Sequence, residues 1–343
     1  MNAELLHEAE YYQVIDEEQQ IIKCTLCPFE CELGHKEKGK CKARMNISGK
    51  LYSLTYGFTK MQINRIEKQH VLHFFPNSRA QTFMTYNCNL DCVFCPVSDI
   101  SQVEPETISG KKYPPEQAAM FGLASGSRVM VFGDSEPLVS FEWVRDTAKI
   151  AKEKKMKILL RTNGYFNEEP FKEILEYVDA VAIEVKGLDN DDYLRNCGGG
   201  NFEHIKKIMK LIYEHGTHLE VSLIIHEKNI NNEISAGALA HFLATEISPD
   251  IPLHLERLKP AYKVKDLQPT SKDLMEEAFK MAKEAGINFC YIHGIPDHPE
   301  NNTSCPKCGQ LLIKRSSTTT EVLRISLDGR CNNCQTEIYI VMK

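Results

Sequence analysis

The chain has 343 residues, of which 42% are apolar and 26% charged, and it carries a formal net charge of −6. That composition is globular and excludes extended disorder, while a pI near 6.1 excludes the broad basic footprint that nucleic acid or an anionic membrane surface demands. The length accommodates one large α/β domain with one or two small satellites.

The N-terminus, "MNAELLHEAEYYQVIDEEQQ", is acidic and lacks the basic, apolar and small-residue succession of a signal peptide. No run approaches the roughly 18 apolar residues of a membrane span. The expectation is a cytoplasmic protein with no membrane and no nucleic-acid partner. In a reducing compartment its thirteen cysteines should be metal ligands or buried thiols rather than disulfides, and an odd total already fits poorly with complete pairing.

Eleven of those cysteines fall into three groups. The first is Cys24, Cys27, Cys31 and Cys41 in "CTLCPFECELGHKEKGKC", with turns marked at Gly34 and Gly39. Four ligands suit either zinc or an auxiliary iron-sulfur cluster; zinc is the expected occupant, because a second cluster is not needed for the chemistry read from the next group.

That second group, Cys88, Cys92 and Cys95 in "YNCNLDCVFCPVSDISQ", follows the strand candidate 80–86. Beyond it, further candidates at 128–132, 157–162, 180–185, 218–225, 252–258 and 288–292 are nearly continuous apolar runs, as strands buried on both faces are. Helix-period segments such as 168–178 and 271–286 lie between them, which is the pattern of βα units around a parallel sheet. The stretch 102–115 reads as an exposed loop ending in a proline brake. The fold class is therefore α/β, a partial or full (β/α) barrel, with chemistry expected on the loops that follow the strands. Those loops hold Asp134, Ser135 and Glu136 in "GDSEP", Asn163 in "NGY", Glu184 and Lys186 in "EVKG", and "HEKN" at 226–229. Glu184 and Lys186 are two apart on a strand and share a face. Cys197, before the run Gly198 to Gly200, is either an active-site thiol or a small buried residue, and it stands as the catalytic candidate; Cys290 sits in an apolar strand and reads as core.

The third group, Cys305, Cys308, Cys331 and Cys334, makes two Cys-x2-Cys knuckles around a β-rich stretch. This is a zinc-ribbon layout, in which the metal folds a tail too small to bury its own core; a rubredoxin-like iron site is the alternative. Three segments follow: an N-terminal metal-binding module at 1–75, the barrel at 76–300 and a zinc-ribbon-like module at 301–343.

Three thiolates on a 4Fe-4S cluster leave one iron without a protein ligand, open to a substrate. The Cys-x3-Cys-x2-Cys run after a first barrel strand resembles that of radical S-adenosylmethionine (SAM) enzymes, with Phe94 matching the usual aromatic. The resemblance implies a 4Fe-4S cluster on Cys88, Cys92 and Cys95 that cleaves SAM reductively to a 5′-deoxyadenosyl radical for hydrogen abstraction. It also implies SAM contacts from Asp134, Ser135, Glu136, Asn163, Glu184 and Lys186, with Lys186 pairing the carboxylate. With "CTLCPFECELGHKEKGKCKARMNISGKLYSLTYG" (24–57), "DAVAIEVKG" (179–187), "LKPAYKVKDLQPT" (258–270) and "IPDHPENNTSCPKCGQLLIKR" (295–315), the chain resembles the AmmeMemoRadiSam-system radical SAM enzymes, relatives of pyruvate formate-lyase activating enzymes. That likeness implies an activase-like oxidoreductase, a reduced ferredoxin or flavodoxin as electron donor, and AMMECR1-like and Memo-like partners.

The chain departs from the family around the expected site. "CPV" (95–97) stands where Cys-Gln-Asn is usual, "SEPL" (135–138) replaces Asn-Glu-Pro-Thr, and Glu184-Val185-Lys186 replaces Asp-x-Lys. "INRIEKQHVLHFF" (63–75) also lacks the usual aspartate and proline before "IEK". A methyl- or small-molecule-modifying radical enzyme, or a non-catalytic metal-scaffolded binding module, are the competing readings.

Overall fold

A computed structural model describes residues 6–226 and 232–343. Its centre is an eight-stranded sheet, β1 (Thr59–Arg65), β2 (Arg79–Thr85), β3 (Val129–Phe132), β4 (Lys157–Thr162), β5 (Ala180–Val185), β6 (His218–Ile225), β7 (Leu253–Arg257) and β8 (Cys290–His293), arranged in simple chain order. From β2 to β8 every neighbour is parallel. β1 pairs antiparallel with β2, from Thr59 opposite Thr85 to Arg65 opposite Arg79. β1 and β8 are the two edges, so the barrel is a partial one.

Among the described residues, besides a single turn of helix at Ser98–Ser101, seven longer helices connect or flank these strands: α1 (Pro115–Ala124), α2 (Phe141–Glu153), α3 (Glu168–Leu175), α4 (Asn190–Cys197), α5 (Phe202–Glu214), α6 (Asn232–Glu246) and α7 (Lys272–Glu284). α5 shows why they pack: Ile205, Ile208, Met209 and Ile212 recur at helical spacing and are wholly buried. α7 begins where its sequence says, with Ser271 accepting a hydrogen bond from Leu274 N at 3.4 Å. β4, β5 and β6 occupy the expected residues, and the other expected strands are displaced by one or two. β1 was legible only in hindsight, because "TKMQINR" carries the polar, half-exposed pattern of an edge strand.

Two small three-stranded sheets precede the barrel: His7–Glu8, Lys50–Ser53 and Arg44–Ile47 form one, and Tyr12–Asp16, Ile21–Cys24 and Glu32–Leu33 the other. They dock through Arg44, a buried guanidinium that meets Glu142 of α2 at 2.6 Å and donates to Glu10 O at 2.8 Å. At the other end, Thr303–Ser304, Leu311–Arg315 and Thr320–Val322 form a third small sheet, whose Leu312 and Ile313 share a core with Phe289 and Tyr291 beside and within β8. The chain then returns to the strap before β2, where Val341 N donates to His73 O at 2.7 Å and Phe75 N to Val341 O at 2.8 Å. No helix among the described residues is long and apolar enough to cross a membrane.

Candidate active site and metal centres

The loop after β2 carries Cys88, Cys92 and Cys95, and neighbouring segments pin its backbone. Asp91 N donates to Cys197 O at 2.9 Å, Val93 N to Asn196 O at 2.7 Å, and Lys263 N to Val93 O at 2.9 Å. Asn89 Nδ2 reaches Tyr165 O at 2.8 Å. Each sulfur has a hydrogen-bond partner: Leu90 N donates to Cys88 Sγ at 3.3 Å, Ser101 Oγ is 3.2 Å from Cys95 Sγ, and Cys92 Sγ is 3.2 Å from Cys197 Sγ. The three sulfurs do not converge within 4.8 Å of one another, unlike those of the C-terminal four-cysteine group. A single tetrahedral zinc, with Zn–S near 2.3 Å, brings its sulfurs to about 3.8 Å apart; a wider thiolate set with one ligand short suits a cluster.

The loops after the next three strands gather around this one. Glu136 is buried and accepts from Thr162 Oγ1 at 2.8 Å, Asn163 N at 2.8 Å and Leu138 N at 3.1 Å. Burial dominates over these donors and raises its pKa to about 7. Asn163 donates to Asn89 Oδ1 at 2.8 Å and lies 3.7 Å from Cys88 Sγ, which ties the third strand's loop to the first cysteine. Ser135 hydrogen-bonds Thr85 O at the end of β2.

Asp134 and Glu184 are joined instead by Arg161. This guanidinium lies 3.2 Å from Asp134, contacts Glu184, and approaches Glu256 at 3.8 Å. Lys186 pairs Glu184 at 2.9 Å, as their shared strand face requires. Burial works against the Glu184 charge, but Arg161 and Lys186 outweigh it and hold its pKa below the usual carboxylate range. Arg161 was not singled out from the sequence; a charge directly after the apolar Ile158, Leu159 and Leu160 was the available signal, and Glu256 following Leu255 was a second.

Cys197 ends α4, which stops at Gly198 with φ of 70°. It is fully buried, and its thiol faces Cys92. Their hydrogen bond, more than burial, pushes Cys197 well up, while the same bond lowers Cys92 against the burial penalty. In this structure Cys92 Sγ donates to Cys197 Sγ; a deprotonated Cys92 only accepts, and Cys197 would then be the donor. Gly200, at a φ of 133°, packs against α4 itself: a Cβ there would lie 2.4 Å from the Tyr193 ring.

On the open side of the sheet lies a cavity of about 630 Å³, within the range of small-molecule sites. Phe94 and Pro96 of the cysteine loop form one wall, His70, Glu256 and His293 another, and Ser316 to Thr318 of the C-terminal module a third. Behind it, His293 Nε2 meets His254 Nδ1 at 2.9 Å, and His254 Nε2 meets Glu220 at 2.7 Å. Glu220 also receives Leu72 N, His73 N and His218. Burial opposes its charge, but the two histidines prevail and keep its pKa well below normal. Of the expected loop at 226–229 only His226 lies within the described residues; its ring is 5.7 Å from Phe94. Cys290 is buried in β8.

The C-terminal Cys305, Cys308, Cys331 and Cys334 converge, with ligand atoms all within 4.8 Å of one another. Cys305 and Cys334 sulfurs are 3.6 Å apart and those of Cys308 and Cys331 3.7 Å, which matches a tetrahedron around one metal ion. Cys24, Cys27, Cys31 and Cys41 line a common enclosed pocket against Asn89, Val139 and Phe166.

An open, mostly parallel α/β sheet with a three-cysteine loop at the carboxyl end of its first parallel strand defines a radical SAM fold. Residues 82–234, somewhat less than half of the chain, match the Radical SAM superfamily. It is 32% identical over 339 residues to an uncharacterized protein of Methanocaldococcus jannaschii, covering 98% of this chain and 100% of that one. To the pyruvate formate-lyase-activating enzyme of Clostridium pasteurianum it is 22% identical over 227 residues, 61% of this chain and 92% of the relative. Its fold is similar to a radical SAM methyltransferase from Sphaerobacter thermophilus, with a TM-score of 0.51 at 13% identity, over 84% of this chain and 77% of that one.

Proposed function

We propose that the protein cleaves SAM reductively and abstracts hydrogen from a substrate held in the cavity on the open side of the sheet. The observation that carries this reading is the Cys88, Cys92 and Cys95 loop with Glu136, Asn163, Glu184 and Lys186 gathered around it. A 4Fe-4S cluster on those cysteines, with SAM on its open iron, supplies a 5′-deoxyadenosyl radical. This chain's own residues bind and orient. Glu136 offers a carboxylate to the ammonium of SAM, Lys186 a cation to its carboxylate, and Asn163 and Ser135 hydrogen-bonding groups beside them. Phe94 and Pro96 belong to the cysteine loop and also line the cavity, so a substrate held there would lie against that loop. Cys197, taken from sequence as catalytic, acts from beneath through Cys92.

Within this reading, an activase that takes hydrogen from a protein is favoured by similarity to the Clostridium pasteurianum activating enzyme. Against it stands the position of the extra four cysteines, which precede the radical motif, whereas dedicated activases place such a set after it. A reduced ferredoxin or flavodoxin in the cytoplasm is the proposed electron donor, zinc the proposed C-terminal ion, and AMMECR1-like and Memo-like proteins are partners by family likeness alone. We take 301–343 as a module of its own, while the expected boundary at 75 moves to before Thr59, because Thr59–Arg65 pairs with Arg79–Thr85 in the barrel sheet.

The test is the electron paramagnetic resonance spectrum of the anaerobically reconstituted, reduced protein with and without SAM, beside Cys88→Ala. A signal that shifts with SAM and disappears in the variant supports the reading; an intact cluster indifferent to SAM overturns it.

A further inference from the structure

Cys24 ends the strand Ile21–Cys24 and Cys27, Cys31 and Cys41 lie in the turns and loops beyond it, yet the four line one pocket of about 20 Å³ with Leu26, Gly39, Val139 and Phe166. Lys40 N lies 3.4 Å from Cys31 Sγ, a donor suited to a thiolate. Arg44 lines the same pocket and brings a cation to it. Four sulfurs facing one pocket, with a cation beside them and apolar side chains closing it off, make a ligand set rather than a group of structural thiols.

The spacing selects the occupant. One zinc ion draws four thiolates to about 3.8 Å of each other, and the C-terminal group meets that, at 3.6 and 3.7 Å. The N-terminal sulfurs enclose a void instead: among the described residues, no three of them lie mutually within 4.8 Å. In this they are like Cys88, Cys92 and Cys95, which also stay apart. Gly39 lies alongside two of the sulfurs: a Cβ there would meet Cys31 Sγ at 3.8 Å and Cys41 Sγ at 3.9 Å, which is ordinary contact. We propose that Cys24, Cys27, Cys31 and Cys41 hold a second iron-sulfur cluster, coordinated by four cysteines with no open iron, and not the zinc ion expected from their spacing in sequence.

This cluster would stand directly beside the radical site. Asn89, between Cys88 and Cys92, lines the N-terminal pocket, and Lys40 hydrogen-bonds Gly198 O next to Cys197.

The test uses the full chain carrying Cys88→Ala, Cys92→Ala and Cys95→Ala, reconstituted anaerobically with iron and sulfide. The expected product retains roughly two or four irons per chain with matching sulfide, and its reduced paramagnetic signal does not change on adding SAM. Two zinc ions and no iron would overturn the proposal. Should the triple variant fail to fold, Cys24→Ala with Cys41→Ala in the otherwise unchanged protein reports the same site. Iron falls by roughly two or four per chain with zinc unchanged if the proposal holds; zinc falls and iron stays if it does not. Neither arm depends on whether the protein cleaves SAM.

Discussion

Cys197 Sγ lies 3.2 Å from Cys92 Sγ, so the end of α4 presents its thiol to a sulfur of the three-cysteine loop. Hydrogen bonds to cluster sulfurs raise a cluster's reduction potential by stabilising the more negative, reduced state. As a cluster ligand Cys92 is deprotonated and its sulfur only accepts, so Cys197→Ala would remove the donor. A hydrogen bond to a charged group is worth about 1.5–3 kcal/mol, or about 60–130 mV for one electron, so the potential should fall by an amount of that order. Cys197→Ser keeps a donor and should recover most of the shift. Equal potentials in all three proteins, measured by redox titration, would remove Cys197 from this role.

Glu136 makes stability fall with rising pH. Its pKa stands at about 7 in the folded chain against 4.5 in the unfolded one, so the folded state holds more protons between those values. The advantage is complete below pH 4.5 and lost as pH rises through 7, a change of at most roughly 3 kcal/mol. Denaturant midpoints for the parent and Glu136→Gln across this range should show a steeper decline in the parent. The slope is the readout, because Gln also alters the hydrogen bonds from Thr162 and Asn163.

Arg161→Ala leaves Asp134, Glu184 and Glu256 facing one another without their shared cation. Breaking a buried pair on one side costs about 3–5 kcal/mol. The lower end is expected, since Lys186 still pairs Glu184, His70 still pairs Glu256 and Gln62 still donates to Asp134. Urea unfolding of the reconstituted protein measures the loss, and a change under 1 kcal/mol would contradict it.

Stripping the C-terminal metal should loosen the wall of the cavity. The Cys305, Cys308, Cys331 and Cys334 site organises the same module whose Ser316 to Thr318 line that space. A chelator, or Cys308→Ala, should remove one zinc per chain and make residues beyond Asn302 sensitive to limited proteolysis, with the barrel intact. Retained zinc or unchanged proteolysis would show that the module holds without it.

The parallel strands were legible because a strand buried on both faces must be apolar throughout, and β4, β5 and β6 appear at the residues that pattern marks. β1 was not, because an edge strand with Lys60, Gln62, Asn64 and Arg65 has no apolar run to betray it. The three cysteines and Glu136 were readable from local spacing. Arg161, Glu256 and Asn89 were not singled out, since each matters through a partner on another strand or loop.

By itself the sequence determined the number of thiolates in each group, the α/β class and the placement of cysteines at the end of the first barrel strand. These follow from spacing and from hydrophobic period, which are local. Tertiary structure decided which of those thiolates come close enough to share a single ion and which stand apart, and it alone set Cys197 beneath Cys92 and Arg161 among three carboxylates. Distances between side chains remote in sequence depend on how strands align and how the glycine run lets loops approach, and no periodicity in the chain encodes them.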